Sequence, residues 1–145
     1  MKYAVLLLAL MFVGVATPSM AQKVDTTGPV PQKLTFEFEG ETIEVAKKDF
    51  SNRMNWGAAK KACKNLGNGW RLPSINELEA MYEQLHREDK GNFRMGHALW
   101  YWSSSEDNEG NVWYFSFEYG SAGNAIGSGR DKSQTEYVRA VRTLP

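Results

Sequence analysis

The chain has 145 residues, in which 17 Lys and Arg residues balance 17 Asp and Glu residues. This balance gives no electrostatic reason to expect a nucleic acid or an anionic membrane as a partner. The only cysteine is Cys63, which excludes a disulfide bond within the chain, and the fold must therefore be stabilised by packing.

The first 21 residues have the pattern of a secretory signal peptide. Lys2 supplies a positive charge, Ala4–Val15 form an apolar run, and Ser19–Ala21 fit a small-x-small cleavage site. An uncleaved membrane anchor is the alternative, but the apolar run is shorter than the roughly 20 residues that span a bilayer. We therefore expect residues 1–21 to be removed on export to the periplasm or the medium, and no transmembrane segment to remain.

Residues 22–33 are polar and include one glycine and two prolines, which predicts a flexible tether. Residues 34–145 have a length suited to one domain with one core. This domain begins with Leu34–Phe38, in which hydrophobic and polar residues alternate as in a half-buried strand. After a turn at Gly40-Glu41, residues 42–45 can pair back with this strand, and the two segments therefore predict a β-hairpin.

A first helix is predicted from Trp56 to Leu66, with Asn55 as its N-cap and Gly67 as its stop. Apolar residues recur on one of its faces at spacings of three and four, namely Trp56, Ala59, Ala62, Cys63 and Leu66. Cys63 is therefore expected to be a buried small side chain. A nucleophilic role would need an activating base, and no local motif places either histidine beside this cysteine.

Ser74–Glu77 has the sequence of a capping box, in which the serine oxygen accepts a backbone N–H and the glutamate reaches back to the cap. A second helix is predicted to follow and to end between His86 and Asp89. Its predicted buried stripe comprises Leu78, Met81, Tyr82 and Leu85. Capping accounts for Glu77 without the alternative role of a catalytic acid.

Arg71 lies between Trp70 and Leu72, in surroundings that are predicted to be buried. A buried guanidinium needs hydrogen-bond acceptors, so we expect Arg71 to bond a carboxylate or backbone carbonyl groups. Recognition of an anionic ligand by Arg71 is the competing interpretation.

The second half of the chain predicts strands separated by polar segments. Leu99–Ser103 is rich in β-prone residues, and Asn111–Tyr119 has an alternating pattern of side chains. Between these strands Ser104–Gly110 is predicted as a polar turn, and Gly120–Ser133 follows as a Gly/Ser-rich loop. Tyr137–Arg142 is predicted to form a last strand. With extended segments at both ends and two helices in the middle, the chain is expected to be an α+β domain built on antiparallel sheet.

Certain residues and motifs occur together in a fixed order: Trp56, Ala59, Cys63, Gly69–Leu78, Tyr101–Ser104, Trp113, Gly120 and Val138–Arg142. This order resembles a bacterial family named for the C-terminal domain of the Legionella collagen-like adhesin, and the Fibrobacter succinogenes major paralogous domain is similar. The resemblance covers residues 54–142. It implies a C-type-lectin-like fold, in which two helices pack on small antiparallel sheets with long irregular loops. It also implies an envelope or surface location, with adhesion or other binding rather than catalysis.

Departures from related proteins restrict what the resemblance implies. The Glu-Pro-Asn, Gln-Pro-Asp and Trp-Asn-Asp elements of calcium-dependent sugar-binding lectins are absent from the sequence. Formylglycine-generating enzymes need reactive cysteines late in the domain, whereas Cys63 lies on a predicted helix. We therefore expect neither an enzyme nor a cofactor.

No metal site is expected either. His86 and His97 are not joined by a metal-ligand pattern. The acidic turn at Asp107–Asn111 lacks the spacing of an EF-hand. A solvated turn is therefore favoured there, and a cation site is the alternative.

The polar turn and the Gly/Ser-rich loop form the predicted binding surface, because loops on a sheet can vary their side chains without disturbing the core. Its candidate ligand-binding residues are Glu106, Asp107, Asn108, Tyr114, Tyr119, Asn124, Arg130 and Asp131. An exposed Tyr114 or Tyr119 would stack on a sugar or a peptide, and the others would form hydrogen bonds. The equal alternative is that these residues only face solvent.

The sequence thus predicts an exported, non-catalytic binding module that recognises a glycan or an envelope protein through its loops. The alternative is an envelope assembly or structural domain without a small-molecule ligand.

Overall fold

The computed structural model describes residues 32–124 and 131–145, and for Asn124 it describes the backbone alone. The predicted signal peptide, most of the predicted tether and the candidate site residue Arg130 lie outside the described residues. Within the two described ranges, no helix is long and apolar enough to cross a membrane.

The described part of the chain begins with two strands, continues with two helices and ends with four strands. The strands are β1 (Leu34–Phe38), β2 (Glu41–Val45), β3 (Tyr101–Glu106), β4 (Val112–Ser116), β5 (Ser121–Asn124) and β6 (Val141–Thr143). The helices are α1 (Trp56–Asn65) and α2 (Ile75–Gln84), and a short 3₁₀ turn at His86–Glu88 follows α2.

The first sheet joins the two ends of the domain, with antiparallel strands in the order β1-β2-β6. β1 and β2 form the predicted hairpin, in which Phe36 is paired with Ile43. The hairpin turn contains Glu39 and Gly40, which both have positive φ angles of 50° and 82°. Such angles suit a tight hairpin turn, and glycine adopts them readily because it has no Cβ atom. The hairpin prediction is confirmed.

The second sheet has antiparallel strands in the order β3-β4-β5. β3 runs on to Glu106, through part of the predicted polar turn, and β5 lies inside the predicted Gly/Ser-rich loop. The turn prediction was therefore wrong for residues 104–106 and the loop prediction for residues 121–124, because pairing with β4 creates regular structure where local β-propensity is low. The polar Ser103 is fully buried in β3, where its Oγ donates to the carbonyl oxygen of Trp113 at 2.8 Å.

Both helices begin at their predicted caps. The Asn55 side chain accepts a hydrogen bond from the N–H of Ala58 at 2.9 Å. Ser74 Oγ accepts from the N–H of Glu77 at 3.1 Å, and Glu77 Oε2 accepts from the N–H of Ser74 at 2.7 Å. The predicted capping box is therefore confirmed, and a side-chain cap of this kind typically stabilises a helix by about 1 kcal/mol.

The core consists of two clusters on opposite faces of β4, one packed against α2 and the other against α1. Alternate residues of β4 enter different clusters, because successive side chains of a strand point to opposite faces. Phe115 therefore joins the α2 cluster, and Tyr114 joins the α1 cluster. Cys63 is fully buried in the α1 cluster, as predicted. β4 is thus a central strand that is covered on both sides.

The architecture is the predicted α+β arrangement of two helices packed on two small antiparallel sheets. The predicted last strand is shorter than expected. Only β6 is regular there, while Tyr137 forms an isolated bridge with Tyr101.

Candidate functional site

A groove of about 490 Å³ opens between α1 and the loop that precedes α2. We call it the lysine groove. Its lining includes Lys60, Lys61 and Lys64 from α1, and Trp70, Arg71 and Leu72 from the loop. Leu72 is buried in the α1 cluster, so the groove rests directly on the hydrophobic core.

The amphipathic pattern of α1 explains why its lysines line the groove. Trp56, Ala59 and Cys63 form the buried face of α1, and the exposed Lys60, Lys61 and Lys64 lie on its outer face. Lys64 is in the last turn, where a positive charge interacts favourably with the helix dipole. Among the described residues, no carboxylate forms an ion pair with any of the three groove lysines.

Arg71 forms a bidentate ion pair with Glu77. Its Nη1 donates to Glu77 Oε2 at 2.7 Å, and its Nη2 donates to Oε1 at 2.6 Å. The Glu77 side chain is 4% exposed and the Arg71 side chain 42% exposed. The predicted carboxylate partner of Arg71 is confirmed, and its charge in the groove is already compensated by Glu77. The positive charge that is available to a ligand therefore comes from the lysines.

The same contacts change the acidity of Glu77. Burial by itself would raise the pKa of Glu77, but the hydrogen bonds from Arg71 and from the Ser74 backbone outweigh it and lower the pKa below its usual value of 4.5. Glu77 is therefore charged at neutral pH and serves to hold Arg71 and the helix cap together.

We expect Glu77→Gln to remove a stabilisation that depends on pH. Because the folded-state pKa is lowered, the charged carboxylate stabilises the fold fully at neutral pH, by about 1–3 kcal/mol. This contribution declines below the unfolded-state pKa of about 4.5 and is lost as the pH falls through the folded-state pKa. Urea unfolding between pH 7 and pH 2 should show the difference between the two proteins shrinking in acid. A difference that stays constant over this range would contradict the role of Glu77.

The candidate residues Glu106, Asp107, Asn108 and Asp131 lie together at one end of the second sheet, which we call the loop end. Glu106 Oε2 is 2.6 Å from the Nζ atom of Lys132, which follows Asp131 in the chain. Asp107 Oδ1 accepts the backbone N–H groups of residues 109 and 111, both at 2.9 Å. These are the bonds of an Asx turn, and they occupy the carboxylate within its own loop.

The cation alternative for the acidic turn has no support in the described residues. No group of three or more His, Cys, Asp and Glu side chains in residues 32–124 and 131–145 could hold a metal ion.

The loop end adjoins the lysine groove at Trp56. The backbone N–H of Trp56 donates to the carbonyl oxygen of Lys132 at 3.2 Å. The Nζ atoms of Lys60 and Lys132 lie 4.1 Å and 4.7 Å from the centroid of the Trp56 ring. Both ammonium groups thus contact one indole, an arrangement that is typical of cation–π pairs. The groove and the loop end are therefore parts of one surface.

Tyr119 lies at the other end of the second sheet, away from the loop end. β4 runs from the acidic turn towards the turn that contains Tyr119. The Tyr119 side chain is exposed, and its hydroxyl shares a 2.5 Å hydrogen bond with His97 Nδ1. The predicted site residues therefore do not form a single cluster.

The expected exposure of Tyr114 was wrong. Tyr114 is 4% exposed, and its ring lies 4.8 Å from the Trp100 ring in an edge-to-face contact. A Cβ atom at Gly123 would lie only 2.7 Å from Cε2 of Tyr114, so the ring is packed tightly against β5. Tyr114 cannot stack on a ligand, because the α1 cluster covers the face of β4 that the alternating sequence pattern predicted to be exposed to solvent.

The backbone of Asn124 pairs with Trp113, next to the loop end. The Asn124 side chain and Arg130 lie outside the described residues. Sequence reasoning missed the groove lysines and Trp70. The signal was a Lys-Lys-x-x-Lys pattern on the polar face of the first predicted helix, which is also the pattern of an ordinary solvated face.

The comparison with protein families agrees with the order of the sequence motifs. Among curated proteins, none has significant sequence similarity to this chain. One similar solved structure is titled "Crystal structure of botrocetin"; it shares 17% sequence identity over 77% of this chain and 96% of that chain, with a TM-score of 0.47. The family model described as "Lcl C-terminal domain" matches residues 32–142. The chain belongs to the Lcl C-terminal domain family.

Proposed function

We propose that this protein is an exported, non-catalytic binding module that recognises an acidic glycan in the lysine groove. One observation carries the proposal. Three lysines without ion-pair partners among the described residues line one groove together with Trp70 and the buried Leu72. Export rests on the pattern of residues 1–21.

The groove combines two kinds of contact that suit a charged sugar. Lysine ammonium groups bind the oxygen atoms of carboxylate and sulfate groups as mobile point charges. The Trp70 indole offers a rigid apolar surface at low cost in conformational entropy, against which a sugar ring can pack. A ligand with both an anionic group and a sugar ring would use both contacts.

The loop end supplies a second group of contacts in this proposal. Glu106, Asn108 and Asp131 would hydrogen-bond to sugar hydroxyl groups beyond the groove, since Trp56 and Lys132 join the two areas. Asn124 and Arg130 are proposed for the same rim from their positions in the sequence.

The protonation of Cys63, the only thiol in the sequence, supports a binding role rather than a catalytic one. Burial raises the pKa of Cys63 to about 12, so the thiol stays protonated at neutral pH and is a poor nucleophile.

Titration calorimetry tests the proposal by comparing the affinity of the protein for dextran sulfate with its affinity for unsulfated dextran of the same length. We expect dextran sulfate to bind at least about tenfold more tightly. Polyglutamate, a polyanion without sugar rings, should bind more weakly than dextran sulfate because it cannot pack on Trp70 in the same way. Equal affinities for dextran and dextran sulfate, or no binding of either, would overturn the proposal.

Envelope assembly is the second candidate function, and one observation favours it. Met95 and Tyr119 are large hydrophobic side chains that are 56% and 48% exposed. The hydrogen bond between His97 and Tyr119 brings their two segments together. A contiguous exposed patch of apolar side chains is often a site of protein contact.

A further inference from the structure

Trp70 has a cationic neighbour that does not line the lysine groove. The Cζ atom of Arg142 lies 4.7 Å from the centroid of the Trp70 ring. The backbone sets this contact, because Arg71 and Val141 exchange two hydrogen bonds, both of 2.9 Å. In an antiparallel bridge the flanking residues also lie opposite each other, which places Trp70 beside Arg142.

Arg142 is in turn held by Glu44 from the neighbouring strand. The two residues are paired directly across β2 and β6. Arg142 Nε donates to Glu44 Oε2 at 2.8 Å, and Nη2 lies 2.7 Å from the same oxygen. The side chains of Glu44 and Arg142 are 12% and 22% exposed. This pair is therefore well shielded from solvent, and it fixes the guanidinium over the indole.

We propose that Glu44 is a positioning residue, which orients Trp70 for ligand binding through Arg142. The effect of Glu44 on ligand affinity rests on the proposed function of the groove, whereas its effect on the position of Trp70 does not. Arg142 lies over the ring of an indole that also lines the groove. Without the Glu44 carboxylate, the long Arg142 side chain regains rotamer freedom, and the indole loses the contact that holds it.

Glu44→Gln distinguishes positioning of Trp70 from a simple electrostatic effect, because the two would change the affinity for dextran sulfate in opposite directions. The variant gains one unit of positive charge beside the groove, so electrostatic attraction alone would tighten the binding of dextran sulfate. If Glu44 positions Trp70, binding should instead weaken, by about threefold, since a charge-assisted hydrogen bond is replaced by a neutral one. In a Trp70→Ala background, Glu44→Gln should no longer weaken binding.

A second measurement needs no ligand. In protein labelled with 5-fluorotryptophan, the ¹⁹F resonance of Trp70 is the one that is missing from the spectrum of the Trp70→Phe variant. We expect Glu44→Gln to shift or broaden this resonance and to leave those of the other tryptophans in place. Glu39→Gln makes the same charge change on the exposed turn of the same hairpin and should alter neither the resonance nor the affinity.

An unchanged Trp70 resonance in Glu44→Gln would overturn the positioning role. Binding of dextran sulfate that is as tight as in the wild-type protein, or tighter, would overturn it as well. If the wild-type protein does not bind dextran sulfate, the proposed function fails, and the fluorine spectrum alone then decides the role of Glu44.

Discussion

Asp49→Asn is expected to lower the free energy of unfolding by about 3–5 kcal/mol, which is the usual cost of leaving one partner of a buried ion pair uncompensated. Asp49 and Arg139 have side chains that are 6% and 1% exposed, and Arg139 Nε donates to Asp49 Oδ1 at 2.6 Å. The Tyr101 hydroxyl donates to Asp49 Oδ2 at 2.9 Å. One carboxylate therefore satisfies two buried groups from distant parts of the chain.

The remaining donors of Arg139 do not provide a second counter-ion. Nη1 donates to the carbonyl oxygens of Ala46 and Gly91 at 3.1 and 2.8 Å. These neutral acceptors satisfy hydrogen bonds but do not neutralise the charge, so the variant would keep a buried cation without a counter-ion.

Urea denaturation at pH 7 measures the effect. Glu83→Gln is the matched control, because Glu83 pairs with Arg87 on the surface, where both side chains are more than half exposed. Such an exposed pair contributes little to stability. A loss in Asp49→Asn that is no larger than in this control would show that Arg139 finds another counter-ion.

Replacing Lys60, Lys61 and Lys64 together with glutamine is expected to weaken the binding of dextran sulfate by about three- to a hundredfold. Each exposed ionic contact contributes about 0.2–1 kcal/mol, and the three lysines share one groove. Helix α1 should survive the change because lysine and glutamine have similar helix propensities. Titration calorimetry gives the affinities, and circular dichroism checks the helix content.

The control for this triple variant changes three lysines that do not line the groove, namely Lys47, Lys48 and Lys90. It removes the same total charge, so it reports the effect of net charge alone, which we expect to be less than about threefold. Similar losses in both triple variants would mean that the protein attracts polyanions without using the groove.

Much of the fold could be predicted from the sequence, because several of its determinants are local. Three of these features depend only on residues close together in the sequence, namely the Ser74–Glu77 capping box, the Asn55 cap and the Gly40 turn. Such short-range bonds leave a direct pattern in the sequence. The extension of β3 and the formation of β5 depend instead on pairing with β4, which no local pattern reports.

The candidate site was harder to predict than the fold. Tyr114 was expected to be exposed because an alternating pattern shows that a strand has two different faces. The pattern does not show whether other elements cover both faces. The overall charge balance hid a local excess of lysine on α1. These lysines become a groove only when the loop that carries Trp70 packs beside the helix, and this contact is tertiary.

The solitary, fully buried Cys63 has a consequence for how the protein matures. Since the chain has no second thiol with which to form a bridge, acquisition of the native state requires no oxidant and no disulfide isomerase. The domain should therefore be equally stable in reducing and in oxidising surroundings, and a reductant added during purification would leave it intact.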